Sequence, residues 1–173
     1  MRRLAVLPLV LALLVLAGCG NQSGSTDSAD QSDPAAGTSN EAAVSLDFTA
    51  TTLDGEAFEG STLAGKPAVL WFWAPWCPTC RAQAPGVEAL AKEYGEQVSV
   101  VGIGGLDQAE AISDYAQTIP TITHLVDPEG EVWQHFRVAE QSSYVVLDAD
   151  GATVAEGYLD DADLAAMVKD LAG

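Results

Sequence analysis

The sequence predicts an α/β domain, and three stretches carry that expectation. Pro67 to Trp73 is a near-continuous apolar run, the pattern of a central strand covered on both faces. Directly after it, Val87, Leu90, Ala91 and Tyr94 lie at helical spacing and form one apolar stripe, which predicts a helix from about Pro78 to Tyr94. Beyond that helix, short apolar runs alternate with helix-like segments to the end of the chain, as strands and covering helices do in α/β domains.

The remaining elements follow in order. Leu46, Phe48 and Ala50 alternate with polar neighbours, and Leu53-Asp54-Gly55-Glu56 supplies a turn before Phe58, predicting an N-terminal β-hairpin. In the first long helix Pro78 suits the opening turn, where its missing N–H costs nothing, and Gly95 stops the helix. Pro85 falls inside that span and removes one backbone donor, which predicts a kink. Val98 to Ile103 reads as a second buried strand, with Gly104-Gly105 opening a turn. Asp107 and Glu110 are spaced as a capping box for a helix running to about Gln117. Ile122 to Val126 reads as a strand, Asp127-Pro128-Glu129-Gly130 as a turn and Glu131 to Phe136 as a short helix. Tyr144 to Leu147 and Thr153 to Gly157 flank Asp150-Gly151 as a second hairpin, and Asp160 to Leu171 closes the chain as a helix. No internal repeat is visible.

The 173 residues accommodate one such domain with appendages. Arg2 and Arg3 form a positive leader, Leu4 to Leu16 an apolar core, and Leu16-Ala17-Gly18-Cys19 matches the lipobox of bacterial lipoproteins. The match implies cleavage before Cys19 and a diacylglycerol on its sulfur. The apolar run is shorter than the ~20 residues of a spanning helix. Residues 20 to 43 are Ser, Gln, Asp, Gly, Thr, Asn and Ala without hydrophobic periodicity, a flexible tether with a reach of roughly 25–30 Å. The expected organisation is a signal peptide over 1–18, a lipidated Cys19 with its tether over 19–43, and a folded domain over 44–173. Its expected location is the extracytoplasmic face of the cell membrane.

A formal charge of −18, from 25 acidic against 7 basic residues, excludes a phosphate-binding surface of the kind nucleic acids need. It also repels anionic headgroups, so membrane association has to come through the lipid at Cys19.

The chemistry lies in Cys77-Pro78-Thr79-Cys80, at the junction of the central strand and the first long helix. Two cysteines three positions apart at a helix start can reach disulfide distance, and the unpaired N–H groups and dipole there favour a thiolate on the first sulfur. Cys77 is the expected nucleophile and Cys80 the resolving thiol. An inert structural bridge is the competing reading, but so short a loop constrains little of the unfolded chain. With Cys19 taken by lipid, no structural zinc set remains, and Arg81 stands where a c-type haem site needs His. No cofactor or metal is implied.

Trp73-Ala74-Pro75-Trp76-Cys77-Pro78-Thr79-Cys80, followed by Pro85, resembles the thioredoxin superfamily. Within it, the W-x-x-W-C-x-x-C pattern is similar to the secreted TlpA/ResA/DsbE-like thiol-disulfide oxidoreductases. The resemblance implies a thioredoxin-like fold over residues 44–173, a central mixed sheet flanked by helices with an N-terminal β-hairpin extension. It implies an active-site environment of Trp73 and Trp76 as an apolar rim, with Pro78 and Thr79 as the dipeptide that tunes the potential. Two positions depart from the family. Trp71 stands where thioredoxins place a buried Asp, and aligning Phe136-Arg137-Val138 with the usual aromatic-Gly-Val puts Ser142 at the cis-proline position. A non-proline cis bond costs about 2.5–4 kcal/mol, so a trans peptide is expected before Ser142. The Ser142 hydroxyl is then available to the Cys77 sulfur.

Asp107 falls near a pocket acid of related reductases, although a helix cap accounts for it more simply. His124 and His135 belong to no motif and are read as structural, and Glu88 and Glu93 as solvated helix positions. The implied partners are thiols or disulfides of exported proteins and a membrane redox recycling partner. Direction divides the family. DsbE-like proteins of lipoprotein-rich actinobacteria resemble oxidants of exported proteins, and the Ala-, Gly- and Asp-rich, Lys-poor composition leans that way. TlpA and ResA resemble reductases for cytochrome c or metal-site maturation. A Cu(I) chaperone using the same thiols is a third reading, although neither Met167 nor the histidines has the spacing of a third ligand. A peroxidase is disfavoured because Pro-x-x-x-Thr-x-x-Cys is absent around Cys77.

Overall fold

The computed structural model describes residues 45–173. The expected signal segment, the lipidation site Cys19 and the tether lie outside the described residues. A short hairpin, β1 (Thr49–Thr51) and β2 (Ala57–Glu59), leads through a 3-10 turn (Gly60–Leu63) into β3 (Ala68–Trp73). Then come α1 (Pro78–Tyr94), β4 (Ser99–Gly104), α2 (Ala109–Ala116), β5 (Thr123–Val126) and α3 (Glu131–His135). The chain ends with β6 (Ser143–Leu147), β7 (Thr153–Gly157) and α4 (Asp161–Ala172).

Five strands form one mixed sheet in the order β5-β4-β3-β6-β7, with β3, β4 and β5 parallel and β6 and β7 antiparallel. The parallel pairs need crossovers, supplied by α1 and α2, while β6 and β7 need only a hairpin. Its turn is held by Asp148, whose carboxylate accepts from the N–H groups of Asp150 and Ala152, both at 2.9 Å. Every residue of β3 is buried, as the unbroken apolar run predicts. Alternation sends Val69, Trp71 and Trp73 into a core with α1, α2 and α4. Ala68, Leu70 and Phe72 enter a second core with α3, and Phe48 and Phe58 of the hairpin segment pack against it.

The larger side chains of β3 dictate what β4 can carry. Parallel register sets Trp71 beside Gly102 and Trp73 beside Gly104. A Cβ on Gly104 would lie 2.7 Å from Trp73, and one on Gly102 would lie 2.7 Å from His124 and 2.9 Å from the Trp73 indole nitrogen. Glycine at both positions of β4 makes room for indoles on its neighbour.

Helix ends follow their local chemistry, with one exception. Asp160 caps α4 by accepting from the N–H groups of Ala162 (3.0 Å) and Asp163 (2.9 Å), a cap worth ~1 kcal/mol. The buried Asp127 accepts from the N–H groups of Glu131, Val132 and Trp133 at 2.8–3.1 Å, holding the start of α3. The Asp107–Glu110 capping box does not form. The N-cap of α2 is Gln108, without a side-chain bond, and Asp107 Oδ1 accepts instead from the N–H of Gln108 at 2.8 Å. The helix opens one residue later than the motif requires, because the turn after Gly105 holds Leu106 at a left-handed φ of 59°. Glu88 is not simply solvated: it accepts from the Thr121 hydroxyl at 2.7 Å and lies 3.8 Å from Lys92.

His124 is buried on β5, its Nε2 3.0 Å from the Ile119 carbonyl and its ring edge-on to Trp73 at 5.5 Å. Facing a carbonyl, Nε2 carries the proton of the neutral ring. Burial lowers the pKa of His124 from 6.5, outweighing the opposite pull of the Ile119 bond and of Glu88.

Two outcomes follow from this packing. Gly104→Ala overpacks the Trp73 pocket and lowers stability by about 1–3 kcal/mol, read as a lower urea midpoint at unchanged slope. For His124, the unfolded chain binds a proton below pH 6.5 that the folded chain resists. Its contribution is complete above that pH and is lost as pH falls toward the depressed folded value. Urea midpoints measured through this window fall with pH in the wild type and fall less in His124→Gln.

Candidate active site

The central strand delivers the cysteines. After Trp73 the chain leaves β3 through Ala74-Pro75-Trp76, and a turn in which the Cys77 N–H donates to the Ala74 carbonyl (3.1 Å) brings Cys77 to the start of α1. Cys77 is the N-cap: its backbone is extended (φ −78°, ψ 115°), and its sulfur accepts from the Cys80 N–H at 3.1 Å. Sulfur thus stands where helices commonly place a Ser or Asp oxygen. Pro78 takes the first helical turn, and no acidic residue lies in that turn. The N-terminal partial positive charge of α1 therefore acts on Cys77 unopposed.

Cys77 and Cys80 form a disulfide, with Cα atoms 5.3 Å apart. Cys80 is fully buried and Cys77 retains 4% exposure, so Cys77 is the sulfur nearer solvent, although it is far less open than its place at the helix end suggests. Pro78 and Thr79 are exposed beside it.

Two contacts missed in the sequence hold this loop. Arg81 donates from Nε (2.9 Å) and Nη2 (2.6 Å) to the Pro75 carbonyl, and its guanidinium lies 4.6 Å over the Tyr115 ring. Trp76 donates from its indole to the Leu106 carbonyl at 3.1 Å, tying the cysteine loop to the β4–α2 connection. Trp76 is 53% and Leu106 47% exposed, and they make an apolar rim. Trp73 does not belong to that rim. It is fully buried between Tyr115 and His124, because its alternation on β3 points it into the helix-covered core. Sequence spacing could mark Arg81, directly after Cys80, but Leu106 carries no signal of its own.

Ser142 sits on the other side of the cysteine loop. The β3–β6 register pairs Phe72 with Ser143, which places Ser142 opposite Trp73 where β3 ends. The Gln141–Ser142 peptide is cis, not trans as expected. The expectation weighed only the intrinsic cost of the bond, whereas the fold also ties the Ser142 side chain from inside. Its hydroxyl does not turn to the Cys77 sulfur. It donates to Gln83 Oε1 and accepts from the Trp71 indole at 3.1 Å, because these two unmet polar groups share its buried pocket. Trp71, at the thioredoxin Asp position, also reaches Gln83 Oε1 at 3.3 Å. Gln83 was visible as a polar residue on the buried face of α1, one turn after Cys80. Arg137, aligned with a family glycine, takes a left-handed φ of 57°. Asp107 acts only on the Gln108 N–H, and His135 bonds the Ser45 carbonyl at 2.6 Å, a structural contact.

Among the described residues, no grouping of three or more His, Cys, Asp or Glu could hold a metal ion.

Known proteins share this arrangement. The soluble secreted antigen MPT53 of Mycobacterium tuberculosis is 41% identical over 109 residues, a stretch spanning 62% of this chain and 62% of that protein. The structure of MTB dsbF in its mixed oxidised and reduced forms superposes with a TM-score of 0.68 at 43% identity, covering 73% of this chain and 96% of that one. A secreted M. tuberculosis disulfide oxidoreductase homologous to E. coli DsbE superposes with a TM-score of 0.66 at 36% identity, covering 73% and 97%. The AhpC/TSA family matches residues 42–155, from the hairpin through β7 and across both cysteines. By that match and by its thioredoxin-like fold, the chain belongs to the AhpC/TSA family.

Proposed function

We propose that this protein is a thiol-disulfide oxidoreductase that works outside the cytoplasm from a lipid tether at Cys19 and oxidises exported proteins through Cys77 and Cys80. One observation carries the reading: a Cys77–Cys80 disulfide whose outer sulfur is the N-cap of α1. The likeness to a secreted disulfide oxidoreductase supports the chemistry and the compartment, and the lipobox supports the tether.

In the forward direction a thiolate of the partner attacks Cys77 Sγ. A mixed disulfide forms, the Cys77–Cys80 bond breaks, and Cys80 leaves as a thiolate that takes up a proton. A second partner thiolate attacks the partner's own sulfur in that mixed disulfide, forming the partner's disulfide and expelling Cys77. The N–H groups and dipole at the start of α1 stabilise the departing Cys77 thiolate. The partner is oxidised by two electrons and the protein is left as a dithiol. A membrane redox partner then removes two electrons and two protons. Trp76 and Leu106 offer the partner an apolar edge, and the buried Cys80 stays shielded from outside thiols. No step calls for a metal or cofactor.

Direction is set by the reduction potential. The oxidant reading expects a value near ~−120 mV and is overturned by one near ~−270 mV, which would favour a reductase in cytochrome c or metal-site maturation. Cu(I) titration of the dithiol distinguishes the chaperone reading, which requires tight binding without exchange.

Substitution separates the two cysteines. Cys77→Ser abolishes exchange and forms no adduct with a disulfide-bearing peptide. Cys80→Ser accumulates a mixed disulfide through Cys77, seen as a peptide-sized mass increase removed by reductant, because no second thiol resolves it. Full exchange by Cys77→Ser would overturn the mechanism.

A further inference from the structure

Gln83 joins four parts of the fold through one buried side chain. Its Oε1 accepts from the Ser142 hydroxyl and from the Trp71 indole (3.3 Å), and its Nε2 donates to the Leu159 carbonyl (3.3 Å) between β7 and α4. The Trp71 indole also donates to Ser142 Oγ at 3.1 Å, closing a three-membered ring of hydrogen bonds. Gln83 and Ser142 are both nearly inaccessible, and Trp71 is wholly buried. Burying an amide costs free energy unless its bonds are met, and an apolar side chain of similar volume would fill the same space without that cost. What the amide adds is direction. It fixes the rotamer of Ser142 and with it the pose of the adjoining peptide groups.

Those peptide groups lie where a partner has to pass. The β3–β6 ladder ends at Phe72 and Ser143, so residues 141–142 continue beyond the paired strand at the end of the sheet from which Ala74 to Cys77 emerge. A chain bringing its sulfur to Cys77 runs between the Trp76–Leu106 rim and this turn. A small thiol touches the sulfur and needs neither border.

We infer that Gln83 is a positioning residue: by holding Ser142 from inside the core, it sets the 141–142 turn as one wall of the groove for extended polypeptide substrates. The inference rests on the exchange reading above and adds a determinant of substrate class. Gln83 touches neither sulfur in the hydrogen-bond network and acts through Ser142. None of Trp71, Gln83 and Ser142 ionises near neutral pH, so the device works by shape and not by proton supply.

The test compares single-turnover oxidation of an extended dithiol peptide with that of dithiothreitol, using the full-length oxidised protein. Gln83→Met preserves volume and removes all three bonds. The expected result is a peptide-to-dithiothreitol rate ratio at least tenfold below wild type. The loss lies in the half-saturating peptide concentration, with the plateau rate within about threefold. Ser142→Ala breaks the link while sparing the Gln83–Trp71 contact, and gives the same split should Gln83→Met fold poorly. The double variant is no worse than the more impaired single variant, because both cut one connection. An unchanged ratio in the folded variants overturns the inference, as does an equal loss with both substrates. Those results leave the exchange reading standing as long as Cys77→Ser is inactive. Activity in Cys77→Ser with both substrates would overturn that parent reading instead.

Discussion

The structure depends on β3 having no solvent face. It lies in the middle of five strands and sends Val69, Trp71 and Trp73 into one core and Ala68, Leu70 and Phe72 into the other. A one-residue slip would exchange these sets and drive two indoles into the core built for smaller side chains, so its register has no alternative. The glycines of β4 answer the indoles, and β6 pairs on the opposite edge. Because the strand cannot move, the loop at its end cannot either. Cys77 is placed against the start of α1 by the packing of residues that take no part in its chemistry.

At that junction, backbone electrostatics and covalent chemistry coincide. The Cys77 sulfur answers one of the unpaired N–H groups that every helix start presents, and the same geometry lowers the cost of a negative charge there after reduction. Arg81 and Trp76 add the mechanical part, one clamping the Pro75 carbonyl and the other tying the loop to Leu106. With Cys80 sealed and Cys77 barely reachable, access is narrow, and the residues flanking the loop decide what can approach.

Behind the disulfide the chain replaces a buried acid with a neutral polar ring. A carboxylate in this core would raise its own pKa and couple the site to pH. Trp71, Gln83 and Ser142 satisfy one another without charge and leave a chiefly geometric influence on the 141–142 turn.

Local patterns along the chain determined a great deal. The α/β class, the hairpins, the extents of α1 and α4 and the Cys77/Cys80 pair are read from apolar periodicity, turn residues and motif spacing, all interactions between residues close in sequence. Tertiary structure decided what those patterns leave open. The Asp107 capping box loses to the turn at Leu106, and Trp73 goes inward because strand alternation and the β4 glycines set its pocket. Ser142 turns from the sulfur to Gln83 and Trp71, partners 59 and 71 positions away. A buried polar group must find a mate wherever the fold supplies one, and no short-range pattern encodes which residue that will be.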